Sequence, residues 1–550
     1  MRILAQAAIV PLLAAICSMV LFTKASFADI PVSEREGLIA LYESTGGDAW
    51  MTNEHWLGPA GSECSWYGIT CDAEHTHVLE IALEDNGLDG HIPPEIGSFL
   101  HLERLSLGLG WCCPKRSGDA WTEELERNRC FRADHATIDR ETNHLVGGIP
   151  PEIGRLEELQ FLNLGWNALT GPIPPEISSC TGLTHVDLSH NQLSGTIPED
   201  FASLRNLEIF HLKDNPLSEA PIPDWLSQCS RIEVLGLEGT NRSGPIPPWL
   251  GTLSNIRMLF LASNKLTGEI PAEIGNLTPF SIYLDDNMLT GPIPEELFIG
   301  SLYVLDISDN RLSGPIPVEI EQLGYMLTLS LASNALSGPI PVEITHFCSE
   351  WELDLSFNAL YASDPSVRNH LDLRCPGWDL TQTVPPHAVR ISPSSDHSVA
   401  VTWQPILYSS SPGYYEIFFS ERPDGPYSLA GTTDSKWNNS FAVDSLPAGA
   451  ESYFRIRTVS LPQPFNQNEL ASDPGDVCGC FLNPVLPCDC DSDYSVSIGE
   501  VQHGVNMFLS TESPSCGADG DGNGTVSLGE LQKAFQAFLS PCSCLAAGVN

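Results

Sequence analysis

The sequence is poor in basic residues. Its 550 residues include 26 lysines and arginines against 70 aspartates and glutamates, which gives a formal net charge of −44. A chain this acidic is repelled by phosphate backbones and by anionic lipid headgroups, so nucleic acid and anionic membranes are disfavoured as partners. The same excess of carboxylates suits the binding of Ca²⁺.

Long apolar runs are missing after the first 28 residues. No later stretch approaches the ~20 continuous apolar residues that cross a bilayer, so we expect no membrane span after signal removal. The N-terminus has a short basic start, an apolar stretch from Ile3 to Phe22, and small residues at the ends of Ser26-Phe27-Ala28. Residues 1–28 therefore indicate a secretory signal peptide, with a retained membrane anchor as the alternative.

Common catalytic motifs are also missing. The sequence has no Gly-x-Ser-x-Gly, no His-Glu-x-x-His and no Gly-Lys phosphate-binding loop. Carboxylates do recur at strand positions, but a solvated sheet does not raise a carboxyl pKa as acid catalysis requires. We therefore expect a protein that is not an enzyme.

Cysteine, in contrast, is abundant. Seventeen cysteines, several closely spaced, favour an oxidising compartment over the cytosol, and sixteen remain after signal removal. We expect a secreted protein, extracellular or at the cell surface. Cys180 and Cys229 lie two repeats apart and should stay unbridged, whereas Cys348 and Cys375 are candidates for a bridge at the end of the repeats.

A repeat of 23 or 24 residues dominates the chain. Clear copies are Asn167-Ala-Leu-Thr-Gly-Pro-Ile-Pro174 and Asn310-Arg-Leu-Ser-Gly-Pro-Ile-Pro317. A fixed period of this length predicts a solenoid, in which each unit buries its apolar face only against its neighbours. We count about eleven repeats over residues 77–375, interrupted by a cysteine-containing insertion at about 109–142.

Each position of the repeat has a structural interpretation. The Leu-x-Leu alternation predicts one short strand per repeat, and these strands form a parallel sheet along a concave face. The recurrent Asn should turn inward and satisfy backbone groups of adjacent repeats. The pattern resembles the plant-type class of leucine-rich repeats, and that resemblance implies a second short sheet at Leu-x-Gly-x-Ile-Pro.

Residues 29–76 should cap the N-terminal end of the solenoid. Glu34 to Tyr42 has the apolar spacing of a helix, and Cys64 and Cys71 are close enough to form a disulfide. An exposed solenoid end needs such a cap for solubility. The segment resembles the N-terminal cap of plant-type leucine-rich repeat proteins.

Variable positions near each recurrent Asn are the candidate ligand-binding positions. Aromatic side chains beside polar groups there are typical of protein interfaces and glycan sites. We predict that they bind a protein or glycan ligand; a metal held by the histidines is the weaker interpretation. The residues are Trp166, Asp187, His190, His211, Phe260, Tyr283 and Asp306.

Residues 384–477 have a different pattern. Alternating segments such as Ser398–Trp403 and Tyr453–Val459 are separated by Pro, Gly and Ser clusters, which predicts a β-sandwich. The segment resembles a fibronectin type III domain, because Trp403 lies on an early strand and Leu446-Pro-Ala-Gly449 precedes Tyr453 like that family's tyrosine corner. The resemblance implies a spacer or a second binding module.

Residues 488–545 contain two twelve-residue loops with the spacing of EF-hand calcium sites. Ca²⁺ takes six to eight oxygen ligands, and Gly524 supplies the sharp turn in the second loop, whereas Tyr494 stands at that position in the first. The predicted ligands are Asp519, Asp521, Asn523, Thr525 and Glu530 in the second loop, and Asp489, Asp491, Asp493, Ser495 and Glu500 in the first.

The calcium pair resembles the half EF-hands of dockerins and the secreted bacterial modules built like them, because proline-containing segments precede both loops. The expected architecture is therefore multidomain: a leucine-rich repeat solenoid, a β-sandwich and a small α-helical calcium module. We predict a non-catalytic exported binding protein. The alternatives are an assembly component that docks through its calcium module, with a passive solenoid, and a self-associating surface-layer protein.

Overall fold

The computed structural model describes residues 30–109, 143–324, 326–346, 352–395, 397–446, 451–475, 477–481 and 542–545. The predicted signal peptide, the cysteine-containing insertion and both calcium loops lie outside these residues. Within the described ranges, no helix is both long and apolar enough to cross a membrane. The chain divides into two compact units, Met1–Gly244 with Trp249–Lys265, and Pro245–Pro248 with Leu266–Asn550.

The first unit begins with a cap built around aromatic side chains. A helix at Val32–Ser44 and short 3₁₀ turns at Gly47–Ala49 and Glu63–Ser65 lead to the strand Ile69–Cys71. The predicted disulfide between Cys64 and Cys71 is present. The ring of Trp56 lies 4.9 Å from those of both Trp50 and Trp66, and all three indoles are buried.

The first unit continues with a long sheet of short strands. After the cap strand, which is antiparallel to the next, neighbouring strands are parallel and in register, because each Leu-x-Leu segment pairs with that of the following repeat. The strands are Ile69–Cys71, Val78–Ala82, Arg104–Ser106, Phe161–Asn163, His185–Asp187, Ile209–His211, Val234–Gly236 and Met258–Phe260. A smaller parallel sheet comprises Asp89–Gly90, His144–Gly147, Ala168–Pro172 and Gln192–Ser194.

The second unit repeats this arrangement. Its long-sheet strands are Ser281–Tyr283, Val304–Asp306, Thr328–Ser330 and Glu352–Asp354. Its second sheet contains Met288–Gly291, Arg311–Gly314, Ala335–Pro339 and Ala359–Tyr361. The chain passes from one unit to the other within the strands Ser243–Pro245 and Lys265–Gly268. The predicted solenoid with a second sheet is thus observed in both units.

Short 3₁₀ helices complete the repeats. Most follow a proline with extended backbone, and Ile, Leu or Phe side chains of these turns are buried in the repeat core. Their bounds are Pro94–Ser98, Pro151–Arg155, Pro175–Ser179, Glu199–Ser203, Asp224–Gln228, Pro248–Thr252, Ala272–Asn276, Glu295–Leu297, Val318–Gln322 and Val342–His346.

The recurrent asparagines form a ladder of hydrogen bonds between repeats. The Leu169 amide donates to Oδ1 of Asn191 at 2.9 Å. The Asn191 Nδ2 donates to the Leu188 and Ser189 carbonyls of its own repeat and to the Leu164 carbonyl of the preceding repeat, at 3.0–3.1 Å. The predicted inward role is confirmed. The same pattern recurs at Asn167, Asn215, Asn264, Asn310, Asn334 and Asn358.

One repeat replaces the ladder asparagine with two other donors. Thr240 stands at the Asn position and donates its hydroxyl to the Leu237 carbonyl at 2.6 Å. Arg242, which is 1% exposed, donates from Nη2 to the carbonyls of Thr240 (2.8 Å) and Ser218 (2.7 Å). Burial lowers the pKa of Arg242 to about 10. The guanidinium therefore supplies the donors that threonine lacks.

The C-terminal end of the repeats continues the ladder with glutamine. Gln382 Oε1 accepts from the Leu360 amide at 3.0 Å, and its Nε2 donates to the Leu355 carbonyl at 2.7 Å. A helix at Pro365–Arg374 and a 3₁₀ turn at Trp378–Thr381 precede it. The suggested bridge between Cys348 and Cys375 is wrong, because Cys375 is a free thiol whose Sγ lies 3.3 Å from a backbone carbonyl.

The second unit ends in two antiparallel sheets that share one hydrophobic core, called here the two-sheet module. One sheet contains His387–Ser395, Ser398–Gln404 and Ser440–Val443. The other contains Gly413–Ser420, Ser428–Thr432, Glu451–Ser460, Leu470–Ala471, Val477–Phe481 and Cys542–Leu545. Its core includes Val401, Trp403, Tyr415, Ile417 and Phe454.

Two strands beyond the middle of the module complete its second sheet. The strand Val477–Phe481 extends the module past residue 477, and Cys542–Leu545 pairs antiparallel with it. The pairing satisfies backbone groups of Val477–Phe481 that an unpaired sheet edge would leave without a partner. The end of the predicted calcium segment therefore contributes a strand to the two-sheet module.

A lysine is buried inside the two-sheet module. Lys436 is 1% exposed, and its Nζ donates to Oγ of Ser411 and, at 2.9 Å, to Oγ of Ser460. Its ammonium lies 4.5 Å from the ring centroid of Tyr408. Among the described residues no carboxylate pairs with it, and burial lowers its pKa to about 8.

We predict that Asn334→Ala destabilises the second unit. The substitution leaves the buried Leu312 amide without its acceptor and three carbonyls without a donor, so unfolding should become easier by about 3 kcal/mol. Urea denaturation of the full chain measures the change. Asn255→Ala, which removes an exposed amide, should shift the midpoint little; an equal shift in both variants would contradict the ladder's role.

We predict that Lys436→Met alters how stability depends on pH. The folded lysine has a pKa of about 8 against 10.5 for the free side chain, so the folded state releases its proton first and the wild type gains stability as pH rises between these values. Relative to the variant, the wild type should gain about 2 kcal/mol between about pH 6.5 and 9.5. Parallel stability curves for the two proteins would refute a proton released within this range.

Candidate binding surface on the long sheet

The first and third residues of the long-sheet strands point away from the buried middle leucines and form what we call the outer face. In the first unit, side chains on this face contact those of the next repeat. They form two rows that run across the strands, and a third row lies at the turns that follow the strands. The rows are described separately because they differ in exposure.

The first row links four neighbouring strands. Glu80 pairs with Arg104 at 3.0 Å, and the Arg104 guanidinium lies 3.6 Å from the ring centroid of Phe161. The Phe161 ring in turn stacks on His185 at 5.3 Å. Arg104 also contacts Glu84 at 3.2 Å and remains 29% exposed. The row combines acidic, cationic and aromatic groups within reach of solvent, and we call it the Arg104 row.

The second row lies at the third strand position. Ser189 donates from its amide (2.9 Å) and hydroxyl (2.6 Å) to Oδ1 of Asp187, and His211 Nδ1 lies 3.7 Å from the same oxygen. The His211 ring covers Gly236, where a Cβ atom would meet it at 1.9 Å. Burial acts to raise the pKa of Asp187, but the nearby His211 imidazole and the hydrogen bonds from Ser189 outweigh it and leave this pKa below its usual value.

The third row lies at the turn after each strand, where the backbone is left-handed. Trp166 and His190 have φ values of 58° and 49°, and their rings are 3.8 Å apart. His190 Nδ1 lies 3.1 Å from Oδ2 of Asp214. The turn geometry therefore places an indole, an imidazole and a carboxylate in line across three repeats.

A polar groove adjoins the Arg104 row. It has a volume of about 480 Å³, and three of its residues (Glu103, Gln160 and Thr184) each directly precede a row residue in sequence. The groove therefore lies next to the row rather than elsewhere on the unit. It is lined by Glu103, Glu158, Gln160, Gly182, Thr184, Asn206 and Arg231.

The second unit has an acidic outer face. Tyr283 and Asp306 are in register on adjacent strands, and Ser308 donates its hydroxyl to Asp306 at 2.6 Å. Burial raises the pKa of Asp309, and the negative charges of neighbouring aspartates raise it further. This face thus differs in charge from that of the first unit.

Exposure separates the seven predicted ligand positions. Phe260, Tyr283 and His211 are only 1%, 2% and 4% exposed, and Trp166, His190 and Asp306 are also buried. Asp187 is the least buried of the set, with a side chain 13% exposed. The pattern of variable residues therefore identifies the outer face but does not indicate which of its side chains a ligand can reach.

The sequence pattern missed Arg104, whose side chain is 29% exposed. Its strand begins the repeat that the insertion interrupts, so it lacks a nearby Asn to mark it. Aligning the strand segments of the repeats would have identified it, because Arg104 occupies the same strand position as Phe161 and His185. Lys213 was also missed; it is buried and pairs with Glu238 of the next repeat at 3.0 Å.

All ten predicted calcium ligands lie outside the described residues. Within the ranges that are described, no group of three or more His, Cys, Asp or Glu side chains is placed to hold a metal ion. The outer face in these ranges therefore offers charge, hydrogen bonding and aromatic contact.

Comparison with known proteins identifies the repeats. Residues 158–180, 182–204, 255–277 and 301–323 match the family model described as Leucine Rich Repeat. Polygalacturonase inhibitor 2 of Arabidopsis thaliana is 33% identical over 105 residues, which are 19% of this chain and 22% of that protein. Leucine-rich repeat protein 2 of the same plant is 33% identical over 75 residues, 14% of this chain and 34% of that protein. The chain thus spans about a third or less of these relatives.

Solved structures of plant receptors are also similar. One is the leucine-rich repeat ectodomain of the Arabidopsis thaliana receptor kinase GASSHO1/SCHENGEN3, which is 34% identical. The match covers 55% of this chain and 32% of the receptor chain, with a TM-score of 0.47. The Arabidopsis receptor kinase HAESA is 29% identical. The match covers 60% of this chain and 54% of the HAESA chain, with a TM-score of 0.46. Both TM-scores lie below 0.5, so the ligands of these receptors do not transfer to this chain.

Proposed function

We propose that this chain uses its leucine-rich repeats to bind an extracellular protein or glycan. The observation that carries the proposal is the Arg104 row with its adjoining groove. Arginine and aromatic residues are enriched where binding energy concentrates, and amide, hydroxyl and carboxylate groups fix orientation. The signal-like N-terminus and the abundant cysteines support a location outside the cell.

Neighbouring side chains hold the Arg104 guanidinium in place. The guanidinium is held by two carboxylates and the Phe161 ring, so binding would immobilise few additional rotamers. Each rotamer-rich side chain ordered on binding costs roughly 0.5–1.5 kcal/mol, and a surface already fixed avoids that cost. This favours binding as the role of the row over a chance arrangement of surface charges.

The two-sheet module supports a finer proposal, a β-sandwich of fibronectin type III kind at about 384–477. Its two antiparallel sheets share a core in which Trp403 is buried. Leu446 is also buried, and its carbonyl oxygen lies 3.0 Å from Nδ1 of His397. Two sheets packed over such a core are what a sandwich requires.

We predict that Arg104→Ala and Phe161→Ala weaken ligand binding. The full-length protein would be screened against a glycan array and a panel of secreted proteins and peptides, and Kd measured for each hit by biolayer interferometry. Loss of a central arginine or aromatic contact should raise Kd at least about tenfold, or roughly 1.4 kcal/mol.

Arg311→Ala is the matched control, because Arg311 is an exposed arginine on the second sheet. It should leave Kd within about twofold of wild type. Unchanged binding by Arg104→Ala and Phe161→Ala, or no hit for the wild type on either panel, would refute the proposal. Binding that is abolished by calcium chelation and unaffected by Arg104→Ala would instead favour docking through the calcium module.

We also propose that the C-terminal segment binds two Ca²⁺ ions through the loops beginning at Asp489 and Asp519. The support is the spacing of oxygen-bearing residues in both loops. Isothermal titration of the full chain should show two sites for the wild type and one for Glu530→Gln. Glu176→Gln, on a repeat surface, is the control; an isotherm unchanged by Glu530→Gln would exclude the second loop.

A further inference from the structure

A short segment of the two-sheet module lies on the last repeats of the solenoid, within the second unit. It runs from Gln463 to Asn468 and turns tightly, because the amides of Gln463 and Asn466 each donate to the other's carbonyl, at 2.8 and 3.1 Å. Asn466 is buried, whereas Phe465 is 66% exposed. One side of the segment therefore faces the repeats.

The segment contacts three consecutive repeats through side-chain amides. Asn468 Nδ2 donates to the carbonyl of the ladder residue Asn310 at 2.6 Å. Asn466 Nδ2 donates to the carbonyl of the next ladder residue, Asn334, at 3.0 Å and to that of Phe357 at 2.6 Å. Each amide thus satisfies backbone acceptors at the edge of a repeat.

A local turn adjusts the spacing of the two side-chain amides to that of the repeats. Side chains two residues apart in an extended chain are about 6.6 Å apart, whereas neighbouring strands are about 4.8 Å apart. The Asn468 amide donates to Oδ1 of Asn466 at 2.8 Å, which shortens the segment locally. The turn therefore brings both amides to carbonyls of adjacent repeats.

Aromatic and hydroxyl contacts extend the same interface. Phe465 stacks on Phe357 of the last repeat at 5.6 Å, and Tyr408 packs edge-on against that ring at 5.9 Å. The Ser333 hydroxyl donates to the Phe465 carbonyl at 2.8 Å. Away from the segment, Thr383 and Ser460 hydroxyls are 2.6 Å apart.

We propose that the segment Gln463–Asn468 clamps the two-sheet module along the last repeats of the solenoid. The carbonyls of Asn310, Asn334 and Phe357 belong to three consecutive repeats, and the segment supplies a donor to each of them. It does so with the same amide chemistry that the ladder uses. The module is therefore a fixed part of the repeat structure and not a mobile spacer, and the edge from Asn310 to Phe357 is occupied by the chain itself.

The clamp is tested in the full chain by replacing its two donor amides with carboxylates, which can only accept hydrogen bonds at neutral pH. In Asn466→Asp with Asn468→Asp the side chains keep their shape, but each carboxylate faces a carbonyl with no proton to donate at neutral pH. Hydrogen exchange followed by mass spectrometry should show residues 326–346 and 352–361 exchanging at least threefold faster than in the wild type. Exchange in residues 77–109, in the other unit, should not change.

Two controls keep the outcome interpretable. Gln467→Ala alters the same segment at a side chain that bonds only within it, and should leave exchange as in the wild type. Asn466→Ala with Asn468→Ala removes the donors without adding charge and should have a smaller effect of the same kind. Retained exchange protection in the core strand Gly413–Ser420 shows that the module remains folded. Unchanged exchange over 326–361 in the aspartate variant would overturn the proposal.

Discussion

The asparagine ladder is the interaction on which the rest of the structure depends. Each ladder amide accepts at least one backbone hydrogen and donates to carbonyls of two repeats, as Asn191 does with Leu164 and Leu188. Strand pairing satisfies the backbone groups of the sheet, and the ladder satisfies buried groups of the turns that follow it. A repeat without the asparagine must find equivalent donors, and Thr240 with Arg242 provides them.

Because the ladder and the leucines maintain the fold, the outer positions of the strands can vary. In the first unit this variation yields the Arg104 row and its polar groove; in the second it yields carboxylates close enough for burial and mutual repulsion to raise the pKa of Asp309. A scaffold of constant backbone thus presents different chemistry along its length, which is how repeat proteins acquire ligands.

The ends of the ladder require their own solutions. At the N-terminus, indoles and the Cys64–Cys71 disulfide close the first strands. At the other end, Gln382 extends the ladder once, and Asn466 and Asn468 bring further amides from the two-sheet module. The buried Lys436 lies close by, since it bonds the Ser460 hydroxyl that meets Thr383.

The sequence by itself determined the repeat, the inward asparagines, the two sheets and the cap disulfide, because each is set by local spacing that a period of 23 or 24 residues repeats. It also identified the outer face. Tertiary structure alone decided that Phe260 and Tyr283 are buried there while Arg104 is accessible, since exposure depends on what surrounds a side chain. Likewise, only folding brings Asn466 to Asn334, 132 residues away, because no local pattern encodes such a contact.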